Sequence, residues 1–420
     1  MRQRLVVIGN GMAGVRTVEE MLDRGGGDLF EITVFGEEPY GNYNRILLSN
    51  VLSGAEDESG IFLNSLPWYE ENGIRLHAGT RVTRVDRLGR LVHADDGTAT
   101  PYDKLVIATG SSPFVPDIRG AREPRRGFHQ GVFLFRTIDD TRRMIRYARD
   151  HEHVTVIGGG LLGLEAARGL QSHGMRVTLV HSAPHLMNQQ LDPEAGGILE
   201  RSVRKLGIDV HVGARTTEIL GRQAVTGVRL DDGRTLDCDM VVIAAGIQPN
   251  VDLAAGSGLA VERGTVVDDQ MRTDDPNVYA VGECAQHRGE VYGLVGPLWE
   301  QARVLADHLT GADPAAAYHG SRTATKLKVA GVDVASMGLK GPERESDEFV
   351  VVAEPNRGIY KSVVVRDGRL VGATLLGDVG KVAFLMQAFD RGMPLPQERL
   401  GLLVDLGTPP AEVSAAELAD

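Results

Sequence analysis

Two short glycine runs contain the residues with a spacing suited to chemistry. The first is Gly9-Asn10-Gly11-Met12-Ala13-Gly14, directly after the apolar run Leu5-Val6-Val7-Ile8. The second is Gly158-Gly159-Gly160-Leu161-Leu162-Gly163, directly after Val154-Thr155-Val156-Ile157. They lie about 150 residues apart, and each reads as strand, tight turn and helix. In such a turn the first glycine makes the bend, the second lets the backbone approach a pyrophosphate, and the third packs the helix on the strand. The free N–H groups and the positive dipole end of the helix then face the phosphates. One turn holds one dinucleotide, so two turns predict two, and the chemistry such a pair supports is hydride transfer from a nicotinamide to a flavin.

The strand after each turn should end near the ribose. Ile32-Thr33-Val34-Phe35 runs into Gly36-Glu37-Glu38, at the spacing expected of a ribose-binding acid. Either Glu37 or Glu38 suits that role; the bland alternative is a solvated acidic turn. Val177-Thr178-Leu179-Val180 runs instead into His181-Ser182, with His185 close by and no acid at that end. A carboxylate there would favour NADH. His181, Ser182 and His185 tilt slightly toward NADPH, although histidine is mostly neutral at pH 7. The alternative is an exposed loop without selectivity.

Composition narrows the class. The chain has 420 residues, 42% hydrophobic and 24% charged, enough for two or three domains with real cores. The net charge of −12 argues against nucleic-acid binding, which needs a basic face. Cys238 and Cys284 are the only cysteines, so neither a disulfide scaffold nor a zinc site is expected. No apolar run approaches the ~20 residues of a membrane span. The first residues enter a strand at once, which leaves no room for a signal peptide. A soluble cytoplasmic protein is expected.

The elements that must position the turns are α/β. Arg4–Ile8, a helix carrying Val15, Val18, Met21 and Leu22, a break at Gly25-Gly26-Gly27 and the strand Glu31–Phe35 form one βαβ unit. A helix is expected near Asn44–Leu52, short strands at Arg81–Arg84 and Leu91–Ala94 around Asp95-Asp96-Gly97, and a buried strand at Leu105–Ala108. Arg119–Arg126 reads as a linker, followed by a helix over Ile138–Arg149, the second βαβ unit with its strand at Arg176–Val180, and a strand at Met240–Ala244. Strands are expected at 278–281 and 291–294, and a helix at Leu298–Leu309 opened by Pro297. Val350–Ala353, Lys361–Arg366 and Leu370–Leu376 read as an antiparallel meander, with a helix over Val379–Phe389. The predicted layout has two Rossmann-like dinucleotide domains and a small C-terminal α+β domain. The FAD domain is discontinuous, 1–118 and 248–320. An NAD(P)H domain covers 119–247, the C-terminal domain 321–408, and a tail 409–420.

These segments resemble the two-dinucleotide FAD/NAD(P)H reductases of the pyridine nucleotide–disulfide oxidoreductase superfamily. Ala108-Thr109-Gly110 sits at a strand exit, and Ala244-Ala245-Gly246-Ile247-Gln248-Pro249-Asn250 resembles the return crossing between domains. Val278-Tyr279-Ala280-Val281-Gly282-Glu283-Cys284-Ala285 resembles the second FAD motif, whose acid binds the ribityl chain. Leu186–Asp192, Glu300–Val304 and Thr325–Ala335, with Gly-Glu-Cys-Ala in place of the usual Gly-Asp, resemble the flavoprotein portion of assimilatory nitrite reductase large subunits. The resemblance implies that Tyr43, Arg45, Val82, Gly282, Glu283, Pro297 and Leu298 adjoin FAD, that the helix opening at Pro297 aims its positive end at the flavin, that Ala245 and Gly246 adjoin NAD(P)H, and that Glu165 lies near the nicotinamide.

Departures from that pattern shape the expected function. Gly41–Leu48 contains no cysteine, so no dithiol receives electrons from the flavin. Asn50 stands where relatives often carry a lysine. Two cysteines cannot supply a four-cysteine iron–sulfur cluster, so nitrite reduction by this chain alone is not expected. The expected activity is NAD(P)H-dependent reduction of FAD, with onward transfer to a separate redox protein, an iron–sulfur protein or a nitrate or nitrite reductase component. A ferredoxin or rubredoxin reductase of another pathway, a slow redox-sensing flavoprotein, and an oxidase remain as alternatives. The tail domain is where a homodimer contact is expected. Cys284 reads as a small buried residue behind the FAD motif.

Overall fold

The structure, a computed structural model, describes residues 2–123, 127–329 and 331–404. The chain divides into two compact units: Met1–Gly158, Ala166–Val177 and Thr216–Ser321 form the first, and Gly159–Glu165, Thr178–Arg215 and the segment from Arg322 onward form the second. The expected tail at 409–420 lies outside the described residues.

In the first unit, Gln3–Ile8 is the middle of a five-stranded parallel sheet. Lys104–Ile107 and then Val278–Ala280 lie on one side, Phe30–Gly36 and then Arg75–Ala78 on the other. Both faces are covered, which is why Leu5, Val6, Val7 and Ile8 are all buried and the strand reads as an unbroken apolar run. The helix Met12–Asp23 buries Val15, Val18 and Met21 and packs against the helix Val295–Thr310. Met240–Ile243 pairs in parallel with both Val132–Leu134 and His153–Ile157, and a core of Val132, Ile157, Val241 and Ile243 lies on that ladder. Two antiparallel meanders, Val82–Pro101 and Thr216–Asp237, complete the unit.

In the second unit, Thr178–His181 runs parallel to Asp209–Val212. An antiparallel sheet follows, in the order Ala324–Val329, Val332–Gly338, Arg369–Leu376, Ile359–Arg366, Glu348–Glu354. The helix Val382–Arg391 covers it with Val382, Leu385, Ala388 and Phe389. The helix Pro193–Lys205 packs on the strands Ile359–Arg366 and Arg369–Leu376. Asp192 caps that helix by accepting from the Glu194 and Ala195 N–H groups.

Several elements depart from expectation. Residues 291–294 form no strand. The ladder lies at Ala285–His287, parallel to Thr265–Val267, and Tyr292 is held by its side chain, its hydroxyl accepting from the Ser321 N–H. The helix begins at Val295, two residues before Pro297. Val379 precedes its helix, which opens at Val382 after the Gly380 turn. Within Arg119–Arg126, Arg122–Glu123 pairs with Gly127–Phe128, Arg119 bonds to Glu218, and Pro124–Arg126 lie outside the described residues. The helices Leu66–Glu71 and Pro193–Lys205 stand where the apolar pattern predicts none.

The Arg4–Asp103 clasp ties the first strand to the loop before Lys104. Asp103 accepts from the Arg4 backbone N–H at 2.8 Å and from its guanidinium at 3.0 and 2.8 Å. These bonds lower the Asp103 carboxyl from its ordinary 3.8 to about 2. A depressed carboxyl stabilises the fold above its unfolded value and ceases to do so as pH falls through its folded value. The melting-temperature gap between wild type and Asp103→Asn should therefore be constant above pH 3.8 and close as pH falls toward 2. An unchanged gap across acid melts would refute the assignment.

Candidate dinucleotide sites

The three glycines of the first turn play three different steric roles. A Cβ on Gly9 would stand 2.1 Å from the Ala108 carbonyl oxygen, and Gly9 has φ +121°. A Cβ on Gly14 would meet the Gly9 oxygen at 2.2 Å and the Ala108 Cβ at 3.2 Å. A Cβ on Gly11 would meet nothing within 4 Å. The outer two are thus sealed by protein and the middle one opens on free space, as a backbone that must approach a phosphate requires. Gly11 is also the N-cap of Met12–Asp23, with no side chain satisfying the first-turn N–H groups and no acid in that turn. Those donors fit a dinucleotide pyrophosphate.

Other expected residues converge on this turn within the first unit. Ala108 and Thr109 back onto Gly9, and Ala13 faces Gly282, whose Cβ would lie 2.9 Å from the Ala13 Cβ. Thr109 and Gly110 are pinned by Asn250: its Nδ2 donates to the Thr109 oxygen at 2.8 Å, and its backbone N–H to the Gly110 oxygen at 2.9 Å. Pro297 and Leu298 are buried in the first turn of their helix, which carries neither an acid nor a side-chain cap there. Gln301 from that helix accepts from the Gly282 N–H at 2.9 Å. Val82 starts a meander strand opposite Ala94 and is partly buried against the main core.

The acids separate by their partners. Glu38 accepts from the Tyr43 hydroxyl at 2.7 Å and from Arg45. Arg45 also donates to the Arg136 carbonyl at 3.0 Å and lies 5.0 Å over the Tyr43 ring. Burial raises the Tyr43 hydroxyl well above its ordinary pKa, so it stays a donor. Glu37 is exposed, 3.8 Å from Arg81. Glu283 accepts from the Ser111 hydroxyl at 2.8 Å and from Arg136, both on Oε2. Arg136 was not anticipated from the sequence. Its signal is the capping box that follows it: Thr137 accepts from the Asp140 N–H at 3.1 Å while Asp140 accepts from the N–H groups of Thr137 and Arg136.

The second turn repeats the steric pattern at its first and middle glycines. A Cβ on Gly158 would meet the Ala244 oxygen at 2.2 Å, and one on Gly160 would meet nothing within 4 Å. Ala245 is half-buried, while Gly246 is exposed, has φ +121° and would likewise have an unobstructed Cβ. Gly158, Ala245 and Gly246 belong to the first unit; Gly160, Leu161, Leu162, Gly163, Glu165, His181 and Ser182 belong to the second. Glu165 is half-buried on the helix Leu161–Ser172, and Ser182 is exposed. His185 donates to the Leu191 carbonyl at 3.1 Å, and both His181 ring nitrogens are bonded within the protein. Those bonds occupy the His181 and His185 ring donors within the protein, while Ser182 stays exposed. Burial raises the Cys238 thiol to about 11 and the Cys284 thiol above its ordinary value, so neither is a thiolate at neutral pH.

The pyridine nucleotide-disulphide oxidoreductase family matches residues 3–303, which include both turns. The chain belongs to that family. The rubredoxin NAD+ reductase C-terminal domain matches residues 324–393. A nitrite reductase [NAD(P)H] of Bacillus subtilis is 48% identical over 90% of this chain and 46% of its own length. An assimilatory nitrate reductase electron transfer subunit of the same organism is 43% identical over 90% of this chain and 48% of its own length. The chain thus spans about half the length of these relatives. The covalent putidaredoxin reductase–putidaredoxin complex contains a chain of the same fold, with TM-score 0.82 and 27% identity over 93% of this chain and 94% of that one. The α/β fold with two Rossmann-like turns and a small C-terminal domain is therefore that of this oxidoreductase family. No helix among the described residues is long and apolar enough to cross a membrane.

Proposed function

We propose that the chain binds FAD on the first glycine turn and NADH or NADPH on the second, and carries electrons from the nicotinamide nucleotide to a separate redox protein. The observation that carries this reading is the duplicated turn, sealed at its first glycine and open at its middle one. FAD, when bound, supplies the exchange between two-electron hydride and onward electron transfer. The residues position and polarise. The N–H groups of Met12, Ala13 and Gly14 meet the pyrophosphate, and the Glu37–Glu38 end of its strand meets the ribose. Arg45 and Arg136 place positive charge beside the first turn, and Glu283, engaged on Oε2, keeps Oε1 for a ribityl hydroxyl. The helix opening at Val295 places its positive end, at Pro297 and Leu298, beneath the flavin. Leu161, Leu162 and Gly163 open the second nucleotide's helix, and Glu165 orients the nicotinamide.

The domains of this reading are an FAD domain of 1–118 and 248–320, an NAD(P)H domain of 119–247 and a C-terminal domain of 321–408. The partner is a nitrate or nitrite reductase component or another iron–sulfur protein. The relatives' names and the C-terminal match support this choice. The protein works in the cytoplasm, and any dimer uses the C-terminal domain.

Anaerobic stopped-flow reduction of the FAD-loaded protein, with NADH and NADPH in parallel, tests the reading. Rapid bleaching of the flavin band supports it; FAD-loaded protein that neither nucleotide bleaches overturns it. A second outcome concerns Arg136, whose removal leaves Glu283 without its cation. Arg136→Ala should purify with FAD affinity weaker by roughly 10- to 100-fold, the range for losing a charged hydrogen bond. Fluorescence titration with FAD reads this directly, and Arg136→Lys should recover part of it.

A further inference from the structure

The residue beside the bend differs between the two turns, and its partner differs in the opposite sense. In the first turn the residue is Asn10, facing Gly36 at the end of its second strand; a Cβ on Gly36 would lie 2.7 Å from the Asn10 Cβ. In the second turn the residue is Gly159, facing His181 at the end of the corresponding strand and Leu186 beside it; a Cβ on Gly159 would lie 2.7 Å from both the His181 Cγ and the Leu186 Cδ2. One large and one small residue share the space in each case, with the sizes exchanged. Asn10 buttresses the first turn with a side chain that does not titrate, donating to the Tyr40 carbonyl at 3.1 Å and accepting from the Tyr69 hydroxyl at 2.6 Å. The buttress of the second turn is an imidazole.

The bonds around His181 define its protonation state. The Gly159 N–H donates to Nδ1 at 3.1 Å, so Nδ1 carries no hydrogen. Nε2–H donates to the Asn188 side-chain oxygen at 3.2 Å. The Met187 N–H closes the loop back onto the Gly159 oxygen at 2.8 Å. This loop is held in turn by the C-terminal sheet: Lys340 donates to the Asn188 carbonyl at 2.7 Å and the Ser336 hydroxyl to the Gln190 carbonyl at 2.8 Å. Every one of these residues lies in the second unit.

We propose that His181, as the neutral Nε2–H imidazole, is a positioning residue for the second glycine turn, so that nicotinamide-nucleotide binding is lost on acidification and His181 takes no part in recognising a 2′-phosphate. This rests on the reading of the second turn as the nicotinamide-nucleotide site. A proton on Nδ1 would confront the Gly159 N–H with a second donor and break the bond that seats the turn. Burial lowers the His181 pKa below its ordinary 6.5, with the field of His185 in the same direction, and outweighs the opposing bonds to Asn188 and to the His185 backbone. The other cation at this loop, Lys340, sits on the Asn188 carbonyl. A histidine depressed in the folded turn contributes above 6.5 and loses its contribution as pH falls through its folded value.

Calorimetric binding of NAD+ and NADP+ to the oxidised, FAD-loaded protein across neutral and acid pH reads the effect without turnover. Wild type should lose affinity below the His181 pKa, approaching about tenfold per pH unit. His181→Asn keeps an acceptor toward Gly159 and cannot titrate: its affinity near neutrality should match wild type within about threefold and its acid loss should vanish. His181→Ala should bind about tenfold more weakly at every pH. The NAD+ to NADP+ ratio should be the same in all three proteins, and FAD content should not follow this acid profile, because Asn10 beside the first turn does not titrate. Nitrogen-15 shifts of labelled histidine in wild type give the tautomer independently of any variant. A protonated or Nδ1–H His181 at neutral pH overturns the proposal. So does an acid loss that persists in His181→Asn, or a loss of NADP+ alone. Wild type that binds neither nucleotide at neutral pH overturns the nicotinamide-site reading itself, and this proposal with it.

Discussion

Gly11→Ala should give a soluble, cooperatively folding protein that purifies nearly without FAD, whereas Gly9→Ala should not accumulate as folded protein. The two substitutions add the same methyl group two residues apart. At Gly9 that methyl enters the Ala108 carbonyl at 2.1 Å, from a backbone with φ +121°. Neither the central strand nor the loop after Lys104–Ile107 can yield without breaking the parallel ladder, so overpacking and backbone strain add to a cost of several kcal/mol, roughly 3 or more. At Gly11 the methyl enters open space, and the fold does not register it. The proposed pyrophosphate does, because the methyl occupies the approach of phosphate oxygens to the first-turn N–H groups. A loss of affinity of about 100-fold, near 2.7 kcal/mol, is expected. Melting curves of apo-protein and FAD titrations separate the two effects. A Gly11→Ala protein that retains its full FAD complement would place the pyrophosphate elsewhere.

The second large effect divides the two nucleotides. Gly160→Ala should purify yellow, with normal FAD content and melting temperature, and be reduced by NADH and NADPH only at concentrations raised about 100-fold. A Cβ at Gly160 meets no protein atom, so the substitution acts on the ligand alone. Gly158→Ala, with φ +125° and its Cβ 2.2 Å from the Ala244 carbonyl, should instead cost folding stability as Gly9→Ala does, roughly 3 kcal/mol or more, through the Met240–Ile243 ladder. Stopped-flow traces across nucleotide concentration, with dithionite reduction as the control that the flavin itself is competent, resolve the case. Gly160→Ala reduced at wild-type concentrations would remove the second turn from the proposed mechanism.

The readable parts of this protein are those whose reason is local. A glycine forced to positive φ between an apolar strand and a helix is legible because strand, bend and helix N-terminus occupy about a dozen consecutive residues. Apolar periodicity likewise marked Gln3–Ile8, Met12–Asp23 and the C-terminal meander, since each buries its own face. The strand expected at 291–294 failed for the opposite reason. Val291, Tyr292 and Leu294 have strand-like character, but a strand needs a partner ladder, and the ladder in this stretch is the one Ala285–His287 makes with Thr265–Val267.

What the sequence determined by itself is the pair of dinucleotide turns, the α/β class and the acids and histidines that end each second strand. Tertiary structure decided what those end residues do. Glu37 and Glu38 are adjacent and chemically alike; Tyr43 and Arg45 fold back onto Glu38 and distinguish them. Arg136 lies 147 positions before Glu283 and acquires its meaning only when the Thr137 cap brings it there. His181 reads in sequence as one of three residues able to tolerate or bind a 2′-phosphate, yet in the fold its nitrogens are committed to Gly159 and Asn188. A side chain's type is fixed by its codon, but its free donors, its charge state and its reach depend on which distant groups have already claimed its atoms.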